Sequence, residues 1–381
     1  MSKVQFKRYK LAKDVIDGSL SIKQYSELIG KSYRQAQRIV DQVRLRDELG
    51  VLHRNTGKVP HNKTPDEAIA KILDLMRHKY QNFNVIHFLE MAKKFDAIRT
   101  KKDVVYNIAK KHNLVKNQQR RGRRSHKPRA RLPSEGMMIQ FDGSQHLWFG
   151  DEITDLIGGI DDATGKVLAA EFFYGETSNN SMKVIREIID KNGLPDSFYM
   201  DQAGIYGKVN VDSESQISRA FDQTGIKLIL ASSSQAKGRI ERLWKTFQDR
   251  LIAELKFYQI STMDDANNFL KTRFIPDYNK KFSVNAASSS KSYRKNIFGN
   301  LDIIFCKKVQ RKIGSGNVFS WDGVAWVVDE KADYKGRQIN INTHINGDIS
   351  FDIMGRKTKC RVDTNKRIYL GGNHNKLLRS A

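Results

Sequence analysis

Three carboxylates stand out for the chemistry they could share. Asp142 lies in QFDGS, Asp201 closes FYMD, and Glu241 sits in SSSQAKGRIERLWKTFQDRL (232–251), wedged among Lys237, Arg239, Arg242 and Lys245. Cutting or joining a phosphodiester with metal ions needs oxygen ligands able to hold two Mg²⁺ about 3.5–4 Å apart. Mg²⁺ takes a few carboxylates and leaves its other positions to water or substrate phosphate. The three acids are 59 and 40 positions apart, so they must converge from separate elements. Each alone has a plainer explanation. An Asp at a strand end is usually a turn or cap former, and a Glu in a first helical turn complements the helix dipole. Asp161 and Asp162 have that plainer character, since DDATGK (161–166) reads as a hairpin turn. His146 likewise reads as a surface histidine before it reads as an auxiliary site group.

The surrounding elements give the acids a common edge. MMIQFDGSQHLWFG, TDLIGGIDD and KVLAAEFFY read as strands, 177–192 as a helix, DSFYMD as a strand, 213–224 as a helix and KLILAS as a strand. The stretch with Glu241 then opens a helix whose Ile240, Leu243, Trp244, Phe247, Leu251 and Leu255 share one face. In the first strand Ile139 and Phe141 point one way, so Gln140 and Asp142 point the other. The order βββαβαβα predicts a mixed five-stranded sheet, three antiparallel strands and then crossover units, covered by helices. This is the ribonuclease-H-like α/β order. In it, an acid inside the first strand, one ending the fourth and one starting the helix after the fifth adjoin. Lys237 and Arg239, just ahead of Glu241, are placed to hold scissile or target phosphates.

The flanks carry a different chemistry. LSIKQYSELIGKSYRQAQRIVDQVR (20–44) predicts a helix–turn–helix, with Ile22, Tyr25 and Leu28-Ile29 as an apolar stripe, Gly30 at the turn and a Ser32–Gln35 capping box. Its second helix presents Tyr33, Arg34, Gln35, Gln37 and Arg38 where a recognition helix meets base edges and phosphates; an ordinary helical hairpin is the plainer alternative. Helical patterns follow over 65–79, 84–95 and 102–111. KNQQRRGRRSHKPRARLP (116–133) holds eight Lys/Arg and no acid. Arg120, Arg121, Arg123 and Arg124 there suit a strap along phosphates, or a solvated tether. Residues 276–300 read as a loop-rich connector. Beyond them, Asp322-Gly323 and Asn346-Gly347 lie between β-rich runs and predict hairpins of a small β-barrel. The resulting division is a helix–turn–helix DNA-binding domain (1–60), a second helical DNA-binding domain (61–115), a basic linker (116–135), the catalytic domain (136–275), the connector (276–300) and the barrel (301–381).

Charge follows the same division. The 381 residues carry a net +25. Residues 1–135 contribute +19 and 276–381 contribute +11, while 136–275 are net −5. Basic flanks are the footprint of a polyanion partner; an acidic middle suits a site that gathers divalent metal. Two distant cysteines, Cys306 and Cys360, argue against a disulfide framework or a thiolate zinc cluster. No apolar run is long enough for a membrane helix, and no secretory signal is visible at the N-terminus. The expectation is a cytoplasmic, nucleoid-associated protein without a membrane partner.

With these residues in view, the chain resembles the DDE-type transposases of bacterial insertion sequences, ISNCY type, within the retroviral-integrase-like superfamily. QFDGSQHLWF, FYMDQAGIY, IKLILASSSQAKGRIERLWKTFQDRL, YNKKFSV and ELIGKSYRQAQRIV carry the resemblance, which extends over nearly the whole chain. It implies that Asp142, Asp201 and Glu241 are the catalytic, metal-binding acids, with two Mg²⁺ (Mn²⁺ substituting) per active site. It implies hydrolysis at the transposon end by metal-activated water, then in-line attack of the freed 3′-hydroxyl on target DNA, with no covalent protein intermediate. The implied partners are double-stranded DNA, namely terminal inverted repeats and target, and further copies of the chain, at least a dimer. Leu147 and Gln202 depart from the family pattern, where an acid and a more basic residue are expected. Competing expectations are a non-catalytic DNA-binding regulator derived from such an enzyme, a ribonuclease-H-like nuclease that cuts without joining, and a structural nucleoid protein. The intact acid trio speaks against the first, the multipart flanks against the second and the acidic middle against the third.

Overall fold

The computed structural model describes residues 2–53, 55–57, 63–115, 129–201, 215–231 and 238–363. The chain divides into two compact units, Met1–Lys71 and Ile72–Ala381.

The first unit is a three-helix cluster: α1 (Lys3–Ile16), α2 (Ile22–Ile29) and α3 (Tyr33–Arg46). Ala12, Val15, Tyr25, Ala36, Val40 and Val43 form its core. Gly30 caps α2 in the left-handed conformation at φ 63°, a backbone state in which glycine carries no Cβ penalty. The reciprocal capping box expected at Ser32–Gln35 lies instead at Ser21–Gln24, where each side chain takes the other's backbone N–H. Ser32 contributes only the one-way cap, its Oγ accepting from Gln35 N at 3.3 Å. Leu28, expected in the apolar stripe, is 52% exposed.

Helices α4 (Asp66–Arg77), α5 (Val85–Phe95) and α6 (Lys102–Lys111) match the predicted helical stretches. The expected separate second helical domain is not what α5 forms. α5 is docked on α9 (Gly238–Phe257). His87 Nε2 lies 2.8 Å from Glu254 Oε1, Arg250 Nη1 donates to Glu90 at 2.8 Å, and Tyr80 stacks on Phe257 with centroids 5.4 Å apart. The reason is the apolar face of α5, where Val85, Phe88, Met91 and Ala92 are buried and need a partner surface.

The centre is one mixed sheet, ordered β3-β2-β1-β4-β5. Its strands are β1 (Ile139–His146), β2 (Thr154–Asp161), β3 (Val167–Phe173), β4 (Ser197–Met200) and β5 (Lys227–Leu230). β1–β2 and β2–β3 run antiparallel, β1–β4 and β4–β5 parallel, as predicted. Strand alternation sorts side chains to two cores. Ile139, Phe141 and Ile157 pack with α7 (Ser178–Asn192) and α8 (Gln216–Thr224) on one face. Leu156, Ile160 and Phe172 pack with α9 and α10 (Met263–Phe269) on the other. Each face is covered, so the sheet is buried as a three-layer core.

The helix after α10 runs past the expected boundary at 275. A π turn over Leu270–Phe274 leads into α11 (Ile275–Phe282), so the first seven residues of the expected loop-rich connector are helical. The rest is an extended strap pinned to the region of the central sheet: Val284 N donates to Thr164 O at 2.9 Å, Ser292 N to Glu135 O at 2.8 Å and Leu194 N to Arg294 O at 2.9 Å.

The C-terminal part holds β6 (Lys307–Lys312), β7 (Val318–Trp321), β8 (Val324–Val328), β9 (Gln338–Thr343), β10 (Ile349–Ile353), β11 (Arg356–Thr358) and β12 (Cys360–Val362). Among the described residues they form two ladders, β11-β10-β9-β6 and β12-β8-β7, packed on one core of Ile313, Phe319, Val328, Ile339, Ile341, Phe351 and Ile353, where a single barrel was expected. Both expected turns are present. Asp322 and Gly323 both have positive φ, 52° and 73°, between β7 and β8, the backbone of a type I′ hairpin.

Candidate active site

The site is built around Gln140. Its strand pairs in parallel with β4 at Ile139↔Phe198 and Gln140↔Tyr199, an offset of 59 residues. Carried two residues on, the same offset sets Asp142 level with Asp201, which directly follows the last residue of β4. Gln140 Oε1 also accepts the backbone N–H of Ile240 at 3.2 Å. The residue next to Glu241 is thereby tied to the strand of Asp142. A helix leaves its first N–H groups without intrahelical partners; here a strand side chain takes one.

Asp142 is half-buried, while Asp201 and Glu241 are exposed. Asp142 faces the α9 side, as does Ser144, whose Oγ accepts from Gln248 Nε2 of α9 at 3.4 Å. Across the ladder from Asp142 stands Gly158. A Cβ there would come within 2.8 Å of Ala170 Cβ and 3.1 Å of the Trp244 ring. Glycine therefore lets α9 approach the sheet beside Asp142. Among the described residues, no three His, Cys, Asp or Glu side chains stand close enough to hold a metal ion. Residues 202–214 and 232–237, which adjoin Asp201 and precede α9, lie outside the described residues.

Arg239 does not face outward as the phosphate-binding expectation had it. Its guanidinium donates to Asp162 Oδ1 at 2.6 Å and to Arg129 O at 2.9 Å, and its side chain is only 11% exposed. Burial draws its pKa below the usual arginine value, against the opposing pull of Asp162. The neighbouring acids of the turn separate. Asp161 acts as a turn former, Oδ1 accepting from Thr164 N at 2.7 Å. Asp162, fully buried like Asp161, instead joins distant parts of the chain, accepting from Arg129, Leu132, Gln140 and Arg239. Neither Gln140 nor Asp162 was singled out as a functional residue from sequence. The signal for Gln140 was its shared face with Asp142.

Lys237 and the linker arginines Arg120, Arg121, Arg123 and Arg124 lie outside the described residues. On α3, Tyr33, Arg34, Gln35 and Arg38 are exposed and Gln37 is half-buried, donating to Asp41 Oδ1 at 3.2 Å. Arg34 and Arg38 share a face away from the buried Ala36–Val40–Val43 stripe. His146 is exposed, its Nδ1 3.1 Å from Leu147 O, as the surface reading expected. No helix among the described residues is long and apolar enough to cross a membrane.

No family model matches the chain. It is 28% identical over 381 residues, 97% of its length and 83% of the relative's, to a protein of Sinorhizobium fredii named "Putative transposase y4bF". It is 27% identical over 365 residues, 85% of its length and 78% of the relative's, to the transposase for insertion sequence IS1202 of Streptococcus pneumoniae. Among solved structures, a simian T-cell lymphotropic virus intasome in complex with a PP2A regulatory subunit is similar over 71% of this chain and 98% of that one, at 13% identity and TM-score 0.36. The HTLV-2 integrase catalytic core with magnesium is similar over 35% of this chain and 83% of that one, at 17% identity and TM-score 0.29. By sequence, the chain is thus similar along most of its length to proteins named as transposases.

Proposed function

We propose that this chain is a transposase that binds the ends of its own element and catalyses metal-dependent DNA cleavage and strand transfer, with Asp142, Asp201 and Glu241 as the acting acids. One observation carries this reading: Asp142 is two residues past Gln140, Asp201 two past its strand partner Tyr199, and Glu241 one past Ile240, whose N–H Gln140 accepts. Their donor chemistry fits a hard divalent cation, since all three offer carboxylate oxygens and no sulfur or imidazole competes. Asp142, Asp201 and Glu241 would hold Mg²⁺ or Mn²⁺, which when bound would activate an attacking oxygen and stabilise a leaving one. The chain's own share is positioning. β1 carries Asp142, β4 leads directly into Asp201, and the Gln140 bond to Ile240 ties the first turn of the helix bearing Glu241 to β1. Exposed Arg34 and Arg38 on α3 and the cationic linker would supply sequence-independent phosphate contacts that align an end. The partners are then double-stranded DNA, both terminal repeats and target, and at least one further copy of the chain, because two ends must be joined.

The test is single-turnover cleavage of labelled DNA from the flanks of the gene, with Mg²⁺, Mn²⁺ or chelator, for the wild type and Asp142→Asn. Metal-dependent cleavage lost in the variant, with end binding retained, supports the reading. Tight end binding without cleavage by the wild type under any metal would replace it with the non-catalytic regulator.

A further inference from the structure

Asp162 is fully buried, yet its carboxylate gathers four donors from three parts of the chain. Oδ1 accepts from Arg239 Nη1 at 2.6 Å, from Gln140 Nε2 at 2.8 Å and from Arg129 Nη2. Oδ2 accepts from Leu132 N at 3.0 Å. Gln140 passes the connection on, its Oε1 taking the N–H of Ile240 at 3.2 Å. The first turn of α9 is thus held at two consecutive residues, Arg239 by its side chain and Ile240 by its backbone. A buried carboxylate persists where charged donors satisfy it. Removing its charge would leave Arg239 buried without its counterion and Gln140 without its orienting acceptor.

We propose that Asp162 is a positioning residue: with Gln140 it fixes the first turn of α9, and so the carboxylate of Glu241, against the strand that carries Asp142. This rests on the reading of Asp142 and Glu241 as acting acids. Asp162 does not touch the reacting atoms; it acts through Arg239 and Gln140. The same carboxylate holds Arg129 and Leu132, the residues leading into the catalytic sheet from the basic linker. The chain entering that sheet and the helix bearing Glu241 therefore share one anchor. Arg239 belongs to this anchor, and the basic character of the stretch ahead of Glu241 is in part internal neutralisation of Asp162.

The experiment compares full-length wild type, Asp162→Asn and Gln140→Met by hydrogen exchange read in peptides spanning 238–247 and Leu132, alongside single-turnover end cleavage and end-DNA affinity. The expected result is faster exchange in the first turn of α9 and, for Asp162→Asn alone, also at Leu132, with the sheet strands unchanged. Cleavage falls roughly 10- to 100-fold, the scale of a small misplacement of a reacting group, and DNA affinity is unchanged. A general loss of structure would lower affinity and raise exchange throughout the sheet. Should Asp162→Asn lose its fold in that way, Gln140→Met decides, since it keeps the carboxylate and the Arg239 pair. Wild-type exchange and wild-type cleavage in Gln140→Met, with Asp142→Asn inactive, would overturn the inference and leave the proposed function standing. An Asp142→Asn protein that cleaves like wild type would instead overturn the proposed function, while the exchange comparison still reads the anchor.

Discussion

Asp142 stands directly across from Gly158 in the β1–β2 ladder, and the ring of Trp244 fills the space a Gly158 side chain would need. Gly158→Ala should therefore push α9 off the sheet next to Asp142. Overpacking of this kind costs about 1–3 kcal/mol. Denaturant unfolding should show that loss, and end cleavage should fall more than end binding. Unchanged stability would mean that Ala170 and Trp244 can yield without cost.

Phe198 of β4 is fully buried and stacks on Phe221 of α8, with centroids 4.9 Å apart. It anchors the strand that delivers Asp201. Phe198→Ala should cost about 3–5 kcal/mol, measured by the shift of the denaturant midpoint at constant slope. A cost under about 1 kcal/mol would show that the α8 face collapses freely around the gap.

Glu171 of β3 is the buried end of an ion-pair cluster, 2.5 Å from Lys183 of α7 and 2.6 Å from Lys271 of the π turn. Burial by itself would raise its pKa; the two ammonium groups outweigh burial and hold it below the ordinary 4.5. The folded value is depressed, so the stabilisation is fully present above 4.5 and is lost as pH falls through the lower folded value. The stability gap between wild type and Glu171→Gln should narrow as the solution is acidified through that range. A gap independent of pH would show that the charge of Glu171 contributes nothing.

Arg34 and Arg38 are exposed on one face of α3. Replacing either by Ala should weaken end binding and reduce the slope of log affinity against log salt by about 1 for each phosphate contact removed. Cleavage at saturating DNA should persist. An Arg34→Ala protein that binds ends as tightly at every salt concentration would remove α3 as the reader.

Much of the central sheet was legible because strand alternation and turn chemistry are local. QFDGS placed Gln140 and Asp142 on one face, and Gly193 and Gly225 ended α7 and α8 where helix stops were expected. Asp162 was not legible. A DD pair before a turn reads as turn chemistry, and its burial depends on Arg129 and Arg239, 33 and 77 positions away. Residues 276–300 read as a loop-rich connector, yet the π turn before Pro276 delivers the chain into α11 with Pro in the first turn, where its missing N–H costs little. The docking of α5 on α9 was hidden for a similar reason. His87–Glu254 and Arg250–Glu90 join positions about 160 residues apart, beyond the reach of any periodicity. The two-glycine run in β2 did carry a signal, since glycine inside a strand marks close approach of a neighbour; here the neighbours are Trp244 on one face and Ile188 on the other.

Glu241 is proposed to act with Asp142 and Asp201 on DNA. The most direct test is a combined nicking and strand-joining assay on DNA from the flanks of the gene, with Mg²⁺ or Mn²⁺, comparing wild type with Glu241→Ala at equal end occupancy. The expected outcome is metal-dependent nicks and joined products from the wild type and neither from the variant. Nicks and joined products from Glu241→Ala at the wild-type rate would contradict it.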